Sequence, residues 1–173
     1  MSLERAEIVD AVATGRLTEA AALVFEYMAI TQVEAERPVP ASIAELPTVL
    51  RDECLDLPTT YEPPGALLLA FVDSAPVGCV GLRPTGDDGV VEVKRLYVRP
   101  AYRRRGIARA LMDAAVEHAD RAGFARLELD VMATRTHVIA FYRDLGFEPH
   151  PPRDEWVFPM VSLGRDVPRA RGR

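Results

Sequence analysis

Apolar positions along the chain change their spacing near residue 65, and the change divides the sequence into two textures. From Gly15, "GRLTEAAALVFEYMAITQVEAE" sets Leu17, Ala20, Ala21, Val24 and Met28 three and four residues apart, which predicts a helix with Thr14 as its cap. Pro38 and Pro40 end it, and "SIAELPTVLRDECLDLPTTY" predicts a second helix interrupted by proline before the turn "EPPG". The short stretch at 6–12, "AEIVDAV", fits either a first strand or the lead into a helix. Beyond the turn, "ALLLAFVD", "VGCVGLRP" and "VVEVKRLYV" are separated by "SAP" and "TGDDG", the pattern of successive antiparallel strands. In the third of these the apolar residues fall at Val91 and Val93 and then at Leu96 and Val98, a phase slip of the kind a β-bulge produces.

The helical spacing then returns. "GIARALMDAAVEHADRA" places Ile107, Leu111, Ala114 and Ala115 on one face and Asp113, Glu117 and Asp120 on the other, and Gly123 closes it. A strand, "ARLELDVM", a short helix, "RTHVIAFYRDLGF", capped by Gly146, and a last strand within "EWVFPMVSL" complete the series. These elements predict one globular domain over residues 1–164 and a basic, disordered tail over 165–173.

Charge narrows the partners. The chain carries −5 overall, while the last nine residues, "RDVPRARGR", hold four arginines and one aspartate, so the remaining body carries −8. Such a body repels nucleic acid and anionic membranes and favours cationic small molecules or peptides. Cys54 and Cys79 stand 25 residues apart without a CxxC or a histidine cluster, which predicts reduced, buried thiols and no metal. The start of the chain lacks the apolar stretch of a secretory signal, and "ALLLAFV" is too short to span a bilayer, so a cytoplasmic protein is expected.

The stretch "RPAYRRRGIARAL", residues 99–111, sets three arginines and a glycine at the positive end of a helix, where cations are disfavoured. Strand, basic glycine loop, helix and strand in that order make a corner where backbone N–H groups and the helix dipole converge on a phosphate. A Walker A loop needs a lysine after its second glycine and a dinucleotide fold needs three glycines, and the stretch has neither. Read alone, it is equally a solvated basic turn or a nucleic-acid contact.

Arg103, Gly106 and Ala108 fill the pattern Arg/Gln, two residues, Gly, one residue, Gly/Ala, and here the sequence resembles the GNAT family of N-acetyltransferases. "VEVKRLYVRPAYRRRGIARAL" is similar to the family's fourth strand and following helix, "LELDV…AFYRDLGF" to its fifth strand and fourth helix, and "LLLAFVDSAPVGCVGLR" to its second and third strands, about residues 65–148 in all. The resemblance implies an α/β fold: a mixed, mostly antiparallel twisted sheet of six or seven strands with about four flanking helices, splayed between strands four and five. It implies acetyl-CoA as acetyl donor, with pantetheine bonded to the backbone of Leu96, Tyr97 and Val98 and the phosphates at Arg103, Arg104, Arg105, Gly106, Ile107 and Ala108. Where the family often has an asparagine, this chain has Arg135, which reaches a phosphate or the pantetheine instead, or makes no contact.

An alkyl ammonium has a pKa near 10.4, so about one part in a thousand is free amine at neutral pH and a group must accept its proton. Glu92 matches the position of the family's glutamate base, with Asp130 in reserve; read without the family, Glu92 is a surface or salt-bridged residue, with Lys94 or Arg126 as partner. Tyr142 matches the family's proton donor to the departing thiolate, or packs in the core with its hydroxyl at the rim. His137 reads as a surface residue rather than a base or a cap, His118 as a cation near a helix C-terminus, His150 as a plain loop residue with a place in a substrate loop as the lesser reading, Trp156 as core or dimer contact, and Cys79 as core. The expected activity is direct acetyl transfer to a primary amine, most simply of a small molecule, by a monomer or homodimer. The alternatives are a protein lysine or N-terminal acetyltransferase, a non-catalytic acyl-CoA-binding module, and a nucleic-acid-binding protein.

Overall fold

A computed structural model describes residues 6–87 and 89–168. The strands are β1 (Glu7–Asp10), β2 (Ala66–Val72), β3 (Ala75–Pro84), β4 (Val90–Val98), β5 (Arg126–Met132), β6 (Glu148–Pro149) and β7 (Met160–Asp166). They form one sheet in the order β1-β2-β3-β4-β5-β7-β6, antiparallel except for the β4–β5 pair. The helices are α1 (Ala11–Thr14), α2 (Leu17–Glu34), α3 (Thr48–Leu55), α4 (Leu57–Thr60), α5 (Ile107–Arg121) and α6 (Thr136–Asp144). No helix of the described residues is long and apolar enough to cross a membrane.

Side-chain alternation explains the layering. Every residue of β2 is buried because both its faces are covered: Ala66, Leu68, Ala70 and Val72 join the core under α5 and α6, and Leu67, Leu69 and Phe71 join the core under α2, α3 and α4. In β5 only one face is apolar. Leu127, Leu129 and Val131 enter the first core, whereas Glu128 and Asp130 point to the other face, which has no apolar roof beyond β4. The sheet is therefore roofed on one face throughout and on the other only across its first four strands.

Several boundaries differ from the sequence expectation. The stretch at 6–12 is both strand and helix: Asp10 ends β1 and caps α1, accepting from the backbone N–H of Val12 (2.9 Å) and Ala13 (3.2 Å). Thr14 thus lies inside α1 and does not cap α2, which starts after Gly15 without a side-chain cap. The described residues hold six α-helices rather than about four: the second predicted helix is split into α3 and α4, with Pro58 in the first turn of α4, and the turn at 11–14 adds α1 to the expected set. The last strand starts at Met160, five residues later than the apolar run suggested, and 150–159 is a loop with Trp156 at 43% exposure. The predicted tail is partly fold: β7 continues through Asp166 and Val167 is buried, while 169–173 lie outside the described residues.

Gly81 of β3 lets the fully buried ring of Tyr61 lie against the sheet; a Cβ there would meet Tyr61 Cε1 at 2.3 Å. A Gly81→Ala variant is expected to lose about 2 kcal/mol through overpacking, read as an earlier urea midpoint at unchanged slope.

Candidate functional site

The parallel pairing of β4 with β5 runs only from Val90↔Arg126 to Glu92↔Glu128. Beyond it the two strands part, β5 staying paired with β7 and β4 with β3. The phase slip lies where the gap opens: the β3–β4 register shifts between Cys79 and Gly81, Arg95 takes φ 58°, and Tyr97 crosses to the face opposite Val93. A non-glycine residue in that region costs about 1–3 kcal/mol and persists only when its surroundings impose it. Here they do. The Arg95 guanidinium is bidentate to Glu53 of α3 (2.9 and 2.7 Å), and Glu53 also accepts from the Tyr61 hydroxyl at 2.7 Å. Burial pushes the Glu53 carboxyl up, but the Arg95 bonds and charge, with the Tyr61 bond, outweigh it and hold the group below the usual carboxylate range.

Just past the bulge, the Arg99 N–H donates to Val77 of β3 (2.8 Å), so alternation turns the backbone of Val98, and of Leu96 before it, toward the gap. Tyr97 pairs with Cys79 and turns its backbone to β3 instead. Arg103 Nε donates to the Val98 carbonyl at 2.9 Å, leaving the N–H of that residue directed into the opening. The chain then reaches α5 through Arg104 (φ 61°) and Gly106 (φ 80°). The first turn of α5 has neither a side-chain cap nor an acidic residue, so the N–H groups of Ile107, Ala108 and Arg109 point outward. A Cβ on Gly106 would meet nothing within 4 Å, and Arg105 stacks over Tyr102 at 5.3 Å. Backbone donors, helix dipole and arginines converge on open space, which suits a polyanion.

Tyr142 of α6 is buried against Phe141 and Phe147, with ring centroids 5.6 and 5.5 Å away. Burial, then Tyr27, push its phenol well above the ordinary value, against a smaller pull from Arg135, so it is protonated at neutral pH and a weaker acid than an exposed phenol. Arg135 is turned to α2 rather than to the α5 corner: it bonds Glu34 and donates to the Tyr27 hydroxyl at 3.2 Å. The Tyr27 ring lies between the guanidiniums of Arg95 (5.7 Å) and Arg135 (5.6 Å), linking the two sides of the gap. Nothing in the helical periodicity marked Tyr27 or Glu53. The slip before Leu96 was the one trace of Arg95.

On the unroofed face, at the point where β4 and β5 part, a cavity of about 480 Å³ is lined by Arg83, Glu92, Glu128, Asp130, His150 and Arg153, among others. Glu92 has both oxygens occupied, by Arg83 (2.8 Å) and Lys94 (2.9 Å); burial raises its carboxyl, but Lys94 and then Arg83 hold it below the usual range. Lys94 is thus the expected partner of Glu92, and Arg126 pairs with Glu128 and Asp166. Asp130 accepts from Ser162, and Glu128 also accepts from Arg153. His118 bonds the Pro64 carbonyl at 3.0 Å, His137 is exposed, and Cys54 and Cys79 are buried free thiols.

Comparison with known proteins agrees with this geometry. The model of the Acetyltransferase (GNAT) family matches residues 28–147. An uncharacterised N-acetyltransferase of Schizosaccharomyces pombe is 30% identical over 116 residues, 66% of this chain and 71% of that protein. The crystal structure of a GNAT-family acetyltransferase from Staphylococcus aureus superposes with TM-score 0.73 at 16% identity, covering 94% of this chain and 99% of that one. One from Elizabethkingia anophelis with acetyl-CoA bound has TM-score 0.55 at 21% identity, covering 65% and 82%. With the splayed β4–β5 pair and the open arginine and glycine corner, the match over residues 28–147 shows that this chain belongs to the GNAT acetyltransferase family.

Proposed function

We propose that the chain is an N-acetyltransferase that moves the acetyl group of acetyl-CoA to the primary amine of a small molecule, by direct transfer with both substrates bound. One observation carries this reading: β4 and β5 part at Glu92 and Glu128, with a cationic N–H corner beyond one strand end and a carboxylate-lined cavity at the fork. Acetyl-CoA fits the residues present. The space outside Gly106 admits a pyrophosphate to the N–H groups of Ile107 and Ala108, Arg104 and Arg105 neutralise it, and Leu96 and Val98 offer backbone groups along the gap. Tyr97 contributes side-chain packing, and Arg103 holds the Val98 carbonyl.

Bound there, the cofactor supplies an acetyl thioester. The Val98 N–H is placed to stabilise negative charge developing on the acetyl oxygen. Tyr142, at the position of the family's proton donor, gives its proton to the leaving sulfur. Glu92, ionised and held by Arg83 and Lys94, is one of the carboxylates, with Glu128, Asp130 and Asp154, that line the cavity an ammonium would enter. The acidic body favours cationic amines over acidic ones.

Calorimetric titration with acetyl-CoA, with free CoA and ATP as comparisons, tests the donor site: micromolar binding of acetyl-CoA and none of ATP is expected, and no binding of either CoA form would overturn the assignment. Thiol release in the presence of spermidine, 2-phenylethylamine, amino acids and a lysine peptide then tests the acceptor, and turnover of the peptide alone would replace the small-molecule reading. Tyr142→Phe is expected to lower kcat about tenfold with acetyl-CoA affinity unchanged, and an unchanged kcat would remove Tyr142 as the acid.

A further inference from the structure

Among the described residues, one buried side-chain nitrogen or oxygen has no hydrogen-bond partner: Nε2 of His150. The ring is fixed from its other side. Nδ1 lies 2.6 Å from the Pro151 carbonyl, which can only accept, so Nδ1 carries a proton and the neutral ring has its lone pair on Nε2. The backbone holds the residue to the sheet through its N–H to Ser162 of β7 (3.0 Å). His150 lines the cavity at the β4–β5 fork, where Nε2 stands 3.9 Å from Glu128 Oε2. A buried acceptor without a protein donor takes its hydrogen bond from what fills the cavity, water or the donor group of a ligand.

The strand carboxylates of the cavity already hold partners: Glu92 holds Arg83 and Lys94, Glu128 holds Arg126 and Arg153, and Asp130 accepts from Ser162 through one oxygen, while Asp154 lines the cavity from the same loop as Arg153. Cations already pair with Glu92 and Glu128 and hold both ionised, which makes them poor at taking a proton. We infer that His150, rather than Glu92, takes the proton of the acceptor amine; the inference rests on the acetyltransferase reading above. The proton of the incoming ammonium reaches Nε2 through water in the cavity, the amine N–H bond breaking as the relay delivers a proton to form the Nε2–H bond, and the freed nitrogen lone pair attacks the acetyl carbon. The second proton shed by that nitrogen restores the one Tyr142 gives to the sulfur, so the single net proton is the one on His150, which passes to water. Glu128 is the carboxylate facing the imidazolium from β5, Arg153 and Asp154 the charged groups from its own loop, and Asp130, Glu92 and Arg83 those on the neighbouring strands.

The test has two parts. With three histidines in the chain, long-range proton–nitrogen correlation of the labelled protein at about pH 8 resolves each ring. A neutral His150 protonated at Nδ1 is expected, with an Nε2 signal that moves on adding spermidine; a ring protonated at Nε2 instead would overturn the inference without reference to activity. In the second part, His150→Asn keeps a donor for Pro151 and removes Nε2. Acetyl-CoA binding should be unchanged, kcat with spermidine should fall about 30-fold, and kcat/KM should keep rising with pH as free amine accumulates. His150→Ala should regain rate with added imidazole. An unchanged rate, or a loss with unaltered pH profile and no imidazole rescue, refutes the role, whereas failure of the native protein to bind acetyl-CoA refutes the donor site instead.

Discussion

The Glu53→Ala variant is expected to lose about 3–5 kcal/mol of folding stability, the usual cost of removing one partner of a buried ion pair. Arg95, whose side chain is 15% exposed, would keep its charge without a counter-ion, and the fully buried Tyr61 hydroxyl would lose its acceptor. In a domain of this size the loss lowers the melting temperature by roughly 10 °C. The same change frees the bulge at Arg95, so acetyl-CoA affinity should weaken with stability, which a merely structural salt bridge elsewhere would not cause. The pH dependence has a definite sign. Glu53 is held below its ordinary value, so its contribution is present above about pH 4 and disappears as the pH falls through the lowered value. Urea unfolding of Glu53→Gln and the native protein should therefore converge toward acid pH. A stability loss under about 1 kcal/mol at neutral pH, the size of an exposed pair, would contradict the role given to this contact.

Gly106→Trp is expected to weaken acetyl-CoA binding by at least about 100-fold, near 2.7 kcal/mol, while the domain stays folded. Gly106 lies at φ 80°, so any side chain there is strained by about 1–2 kcal/mol, but the position opens on space and no neighbour has to move. An indole would occupy the room in front of the α5 N–H groups. Calorimetry of the variant, with its urea midpoint measured beside it, separates a blocked corner from a lost fold. Full affinity would place the pyrophosphate elsewhere.

The elements legible in the sequence were those with a strong period. The α5 repeat, the β2 and β3 runs and the slip in β4 each correspond to a described element, and the slip located the bulge that opens the sheet. Boundaries set by particular contacts were not legible. Asp10 capping α1 displaced the expected start of the next helix, and the apolar residues at 156–158 suggested strand although they lie in an exposed loop. Of the candidate site, the α5 corner and Tyr142 were named from motif spacing, which a linear pattern can carry. The environments of Glu92 and His150 depend on which charges arrive from β3, β5 and the 150–159 loop, and no linear pattern records that. Arg135 shows the same limit: its partners, Tyr27 and Glu34, lie 108 and 101 residues away.

Trp156 is the only tryptophan of the chain and stands 43% exposed in the loop that also carries Arg153 and Asp154 at the cavity. Indole emission shifts with the water around the ring, so the native protein carries its own optical gauge on the loop beside the cavity proposed for the acceptor. Amines that draw this loop over the fork should shift the emission to the blue before any acetyl group moves, which ranks acceptors by occupancy separately from turnover.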